Sequence, residues 1–104
     1  MIKVDIRCDL NEIKYIEVTG HALYDQSGKD IVCASVSTAL IMTINALEKL
    51  NVLDDVKYDI EEGYFQIEVN GMNHLVKAML DNLQYSLTDL SNQYPKYIKI
   101  KKEG

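Results

Sequence analysis

Hydrophobic and polar side chains alternate from the start of the chain. Ile2, Val4, Ile6 and Cys8 fall on one side and Lys3, Asp5 and Arg7 on the other, the period of two that marks a half-buried strand. Asp9-Leu10-Asn11-Glu12 carries turn chemistry, and Ile13 to Thr19 is rich in β-branched and aromatic residues. The first two strands therefore form an antiparallel hairpin, the second ending just before Gly20. Beyond a polar loop the period changes to three and four. Val32, Val36, Ala39, Leu40, Thr43, Ala46, Leu47 and Leu50 recur between Ile31 and about Asn51, with Ile31, Ile41, Met42 and Ile44 widening the stripe. This predicts a helix that is apolar nearly all round, which needs cover from the sheet on one side and from another helix or a second subunit on the other. Alternation returns over Val56 to Ile60 and over Tyr64 to Asn70, with Phe65, Ile67 and Val69 inward and Glu62-Gly63 turning between them. A second helical stripe, Leu75, Val76, Met79, Leu80, Leu83, Leu87 and Leu90, runs from about Asn73 to Tyr94 with Asp81, Asn82 and Asp89 outside. Pro95 stops it, and Tyr97 to Lys101 reads as a short last strand at a sheet edge. The order ββαββαβ predicts an α+β fold, a two-layer sandwich in which two long helices cover a mostly antiparallel sheet.

Composition narrows the function classes. A chain of 104 residues forms one domain, 1–104. The formal net charge of -5 argues against broad nucleic-acid contact, since phosphate binding needs a basic face, and the only basic cluster is Lys96, Lys99, Lys101 and Lys102. No uninterrupted apolar stretch approaches the ~20 residues of a membrane span, and the first strand lacks the apolar core of a signal peptide. The expected compartment is the cytoplasm, where Cys8 and Cys33 stay reduced and Cys8 packs in the core. His21, His74 and the two cysteines show no zinc-ligand spacing, so no metal and no cofactor is expected.

The chemistry concentrates between Gly20 and Ser37. His21 and Cys33 flank a polar loop that holds Asp25, Gln26, Ser27, Gly28, Lys29 and Asp30. With Asp30 as N-cap, Cys33 is the third residue of the first helix, where unpaired backbone N–H groups and the positive end of the macrodipole concentrate. A sulfur there, with an imidazole delivered by the preceding loop, has the parts that nucleophilic acyl transfer requires: nucleophile, base, and backbone donors for an oxyanion. The competing interpretation makes Cys33 an inert core residue and His21 a hydrogen-bonded loop residue. A core cysteine, however, needs neither a capping aspartate nor a histidine at the adjacent strand end. Ser37, one turn beyond Cys33, lines the same face. Leu23 and Tyr24 are candidate substrate contacts, Gly28 is a candidate hinge, and His74 is a surface residue at the start of the second helix. The residues thus read as a cysteine protease. A non-catalytic factor that binds a peptide in the same loop without cutting it is the rival. A redox sensor ranks third, because Cys8 is distant in sequence and no nearer resolving cysteine exists.

Gly20-His21-Ala22, the loop with Gly28 and Asp30, Ile31-Val32-Cys33-Ala34 and Val36-Ser37 together resemble the signature of the bacterial ribosomal-processing cysteine protease family, Prp. Chain length and element order extend the likeness over essentially the whole chain, and Ser35 stands where the family often has alanine. The resemblance implies a His-Cys endopeptidase that removes the short N-terminal extension of a large-subunit ribosomal protein precursor, cutting after a hydrophobic, aromatic-ended sequence. It also implies a homodimer whose His-to-Cys loop is mobile over the site. On the matching positions His21 is the base and Cys33 the nucleophile, with Gly20, Asp30 and Ser37 in support.

Overall fold

The computed structural model describes residues 1–23, 25, 30–71 and 73–104. Strands β1 (Ile2–Asp9) and β2 (Glu12–Gly20) are followed by helix α1 (Ile31–Lys49), a single 3-10 turn (Leu53–Asp55), β3 (Val56–Glu61), β4 (Tyr64–Val69), helix α2 (His74–Gln93) and β5 (Ile98–Glu103). The element order agrees with the pattern in the sequence. Leu10 and Asn11 both take positive φ in a two-residue turn, so the β1–β2 hairpin twists in the sense its strands require.

The five strands lie in the order β3-β4-β2-β1-β5. Three pairings are antiparallel, and only β5 runs parallel to its neighbour, with Ile98 opposite Ile2. That pairing is possible because α2 carries the chain back along the sheet before β5 begins. β5 occupies an edge, as the lysine-rich alternation predicts.

Both helices cover the same face of the sheet. Ile2, Val4, Ile6, Ile16, Val18, Phe65, Ile67 and Ile98 meet Val32, Val36 and Leu47 of α1 and Val76, Leu80, Leu83 and Leu87 of α2, all buried. Cys8 departs from the expected core position: a register shift between Arg7 and Cys8 leaves it half-buried at the margin of the cluster. The opposite sheet face is polar. There the Arg7 guanidinium lies 5.1 Å from the centre of the Tyr15 ring, and the Tyr15 hydroxyl donates to Glu17 Oε2 at 2.7 Å. That bond, reinforced by burial, pushes the Tyr15 pKa up to about 12, so the contact persists through the pH range in which a free tyrosine ionises.

α1 is long and apolar enough to cross a membrane, with a mean hydropathy of 1.6. Its stripe Val32, Val36, Leu40, Thr43, Ile44 and Leu47 is buried, its apolar members in the hydrophobic core. The sheet and α2 cover that stripe, while Ile31, Ile41 and Met42 stay exposed. Two flanks stay open: Cys33, Ser37 and Ile41 follow one another at single-turn spacing toward β3, and Met42, 65% exposed, borders a groove beside α2.

Candidate active site

Asp30 fixes the start of α1. Its Oδ1 accepts from the backbone N–H groups of Val32 and Cys33, both at 3.0 Å, a cap that contributes about 1 kcal/mol to such a helix. Cys33 is thereby held in the first turn, half-buried, as the spacing predicts. Its Sγ accepts a hydrogen bond from the backbone N–H of Ala22 at 3.2 Å. Ala22 itself is buried, and the next residue, Leu23, turns the chain with φ +56 and leaves its side chain 78% exposed.

The segment that presents His21 is held at three points. Gly20 N–H donates to Gly63 O at 3.0 Å, tying the end of β2 to the β3–β4 turn. The terminal amino group of Met1 donates to the His21 carbonyl, and the same peptide unit turns its N–H, that of Ala22, toward Cys33 Sγ. Gly20, at φ +94, admits no side chain, because a Cβ there would lie 2.3 Å from the Met1 carbonyl oxygen. The close approach that this glycine permits is to β1.

These pieces surround a cavity of about 610 Å³ between the N-terminal half of α1, the loop after β2 and the β3–β4 turn. Gly20, His21, Asp30, Cys33 and Ser37 all line it, so the structure brings the candidate base, the candidate nucleophile and their three supporting residues to one place. Leu23 and Asp25 line it as well, whereas Tyr24, Ser27, Gly28 and Lys29 lie outside the described residues. Volume and lining suit part of a peptide chain. Ile60, Phe65, Leu40 and Ile41 form an apolar wall, and the carboxylates of Asp25, Asp30, Glu61 and Glu62 stand around it. His21 is exposed, and among the described residues its imidazole and Cys33 Sγ share no hydrogen bond.

Sequence reasoning did not find the contribution of the β3–β4 hairpin. Ile60, Glu61, Glu62, Gly63, Tyr64 and Phe65 supply one side of the cavity, but in the sequence they look like an ordinary hairpin. One signal was available: Ile60 sits opposite Phe65 on the face that Phe65 and Ile67 turn inward, beside a helix whose apolar surface is wider than one sheet face needs. The expectation that first-turn N–H groups of α1 hold an oxyanion also meets a competing demand. Val32 and Cys33 donate to the Asp30 carboxylate, and Ala34 donates to the Asp30 carbonyl.

The family model described as cysteine protease Prp matches residues 1–99. The chain belongs to the Prp family of cysteine proteases. It is 32% identical over 103 residues to the ribosomal processing cysteine protease Prp of Staphylococcus aureus (strain NCTC 8325 / PS 47), spanning 96% of this chain and 97% of that protein. Among solved structures, the essential ribosomal processing protease Prp from S. aureus, in complex with a covalently linked product peptide, superposes with a TM-score of 0.86 at 28% identity, covering 98% of this chain and 99% of that one. SMU.848 from Streptococcus mutans superposes with a TM-score of 0.78 at 28% identity, over 99% and 94% of the two chains. The fold described above is thus a Prp fold, and membership makes this protein a cysteine protease.

Proposed function

We propose that this protease is an endopeptidase that removes the N-terminal extension of a large-subunit ribosomal protein precursor in the cytoplasm, with Cys33 as nucleophile and His21 as base. The observation that carries the reading is the hydrogen bond from Ala22 N–H to Cys33 Sγ, in a cavity that His21 also lines. It identifies Cys33 as a sulfur presented to a cavity by its own backbone support. Cys8, at the sheet margin, has no such setting.

In the reaction His21 takes the thiol proton and Sγ attacks the scissile carbonyl carbon. The resulting oxyanion needs donors. Because the Val32 and Cys33 N–H groups are held by the Asp30 carboxylate, we assign this role to the Ala22 N–H, which is already directed at the sulfur. The imidazolium then protonates the leaving amine as the peptide bond breaks, leaving a thioester on Cys33. Water, deprotonated by His21, hydrolyses the thioester and regenerates the thiol. Contacts that are open without substrate tighten in the Michaelis complex. The apolar wall of Ile60, Phe65, Leu40 and Ile41 fits a hydrophobic, aromatic-ended segment on the acyl side of the bond.

Incubation with an N-terminally extended ribosomal protein, followed by intact-mass analysis, should show one cut at the extension and none in a protein with a scrambled extension. Binding of the extension without any cut would overturn the reading in favour of a non-catalytic assembly factor. The reading includes a homodimer, supported by the exposed apolar side chains of α1 at Ile31 and Met42. Sedimentation equilibrium should give twice the 11.9 kDa chain mass, and a monomer at assay concentration would remove the dimer from the proposal.

A further inference from the structure

We propose that Gly63, in the turn between β3 and β4, is a positioning residue of the active site, its missing side chain being the seat in which the His21 imidazole lies. This rests on the assignment of His21 as the base. A Cβ on Gly63 would stand 2.8 Å from His21 Nε2, 3.2 Å from Cε1 and 3.5 Å from Cδ2. The Nε2 end of the ring therefore lies closer to the Gly63 backbone than an added Cβ would allow without a shift of one or the other.

The positive φ of Gly63, +72, would by itself account for glycine or asparagine in a tight turn. The imidazole contact is a separate constraint, and asparagine would violate it. The turn cannot readily retreat from an added side chain. Gly63 O accepts from Gly20 N–H at 3.0 Å, and Tyr64 pairs with Thr19 across β2 and β4, so turn and histidine are fastened to the same strand end. The exposed imidazole is the part free to move. Adding a side chain at position 63 therefore displaces the base from its place in the cavity while costing the fold little beyond the backbone strain of the turn.

The test compares Gly63→Ala, Gly63→Asn and Gly71→Ala. Gly71 also has a strongly positive φ, +80, but a Cβ there meets nothing within 4 Å among the described residues, so its variant isolates backbone strain. Asparagine tolerates positive φ better than alanine while still carrying the Cβ. Both Gly63 variants should lose on the order of 100-fold in kcat with KM nearly unchanged, since a misplaced catalytic group affects the chemical step more than ground-state binding. Gly71→Ala should turn over like the parent.

The chain has only two histidines, so the imidazole Cε1–H resonances give a readout that needs no substrate. The Gly63 variants should shift the His21 signal and leave His74 in place. Full activity in a folded Gly63→Asn protein, or an unmoved His21 resonance in either variant, would overturn the proposal and leave Gly63 as a turn glycine. If the parent protein cuts no extended ribosomal protein, the proposed function fails on its own, and the resonances still report whether the seat exists.

Discussion

Replacing Cys33 with serine should abolish cleavage while leaving the fold intact. The substitution exchanges one small group for another of similar shape at a half-buried site, and a hydroxyl oxygen can accept the Ala22 N–H as the sulfur does. The Asp30 cap, which meets residue 33 through its backbone N–H, is untouched. What changes is the nucleophile. Serine requires much stronger activation than cysteine, and the imidazole of His21 has no fixed hydrogen bond to residue 33 with which to supply it. A fall in kcat/KM on the order of 10⁴ or more is expected, from the scale seen when a nucleophile is removed. Cleavage rates by mass spectrometry and urea unfolding read the two halves of the claim. Retained cleavage at a comparable rate would show that the reaction does not pass through this sulfur.

Phe65→Ala should produce the largest loss of stability of any single change at the site. Phe65, on β4 opposite Val18 of β2, is 2% exposed and contributes to both the hydrophobic core and the wall of the cavity. Truncating a buried phenylalanine costs about 3–5 kcal/mol, from lost transfer energy and from the void left behind. That is a large share of the roughly 5–15 kcal/mol that holds a small domain together. Because the void opens toward the cavity, water can enter it, which places the expected value in the lower half of the range. Equilibrium urea denaturation should show a lower midpoint with an unchanged slope. A loss under 1 kcal/mol would mean that the wall repacks around the gap.

Wherever one face of an element is buried, the fold was readable from the sequence. Ile2, Val4 and Ile6 are all buried, and the stripe from Val76 to Leu87 lies in the core, because alternation and helical period record burial directly. The parallel pairing of β5 with β1 left no such record, since register between distant strands is set by the path of α2. In the site, the loop end was legible. An aspartate before an apolar helical run specifies an N-cap, and the cap in turn specifies where Cys33 sits. The hairpin side was not legible, because Glu62-Gly63 satisfies the rules of a plain turn and the imidazole that rests against it arrives from a residue more than forty positions earlier. Ile60 was the one residue of the hairpin that hinted at it. It is 42% exposed, because α1 leaves the outermost strand uncovered, and that gap is the cavity.

The position of β1 bears on how the chain matures. β1 pairs on one side with β2, its immediate successor, and on the other with β5, whose Ile98 is matched to Ile2 across nearly the whole sequence. The Ile2 N–H is bonded to the Tyr97 carbonyl, and the preceding residue anchors the His21 carbonyl. Contacts of such long separation are the slowest to form and leave strand edges open in the meantime. A nascent polypeptide emerging from the ribosome therefore carries β1 half-paired until β5 has been synthesised. β1 is enclosed only after β5 follows it, and the backbone that supports His21 becomes fully organised only at that stage.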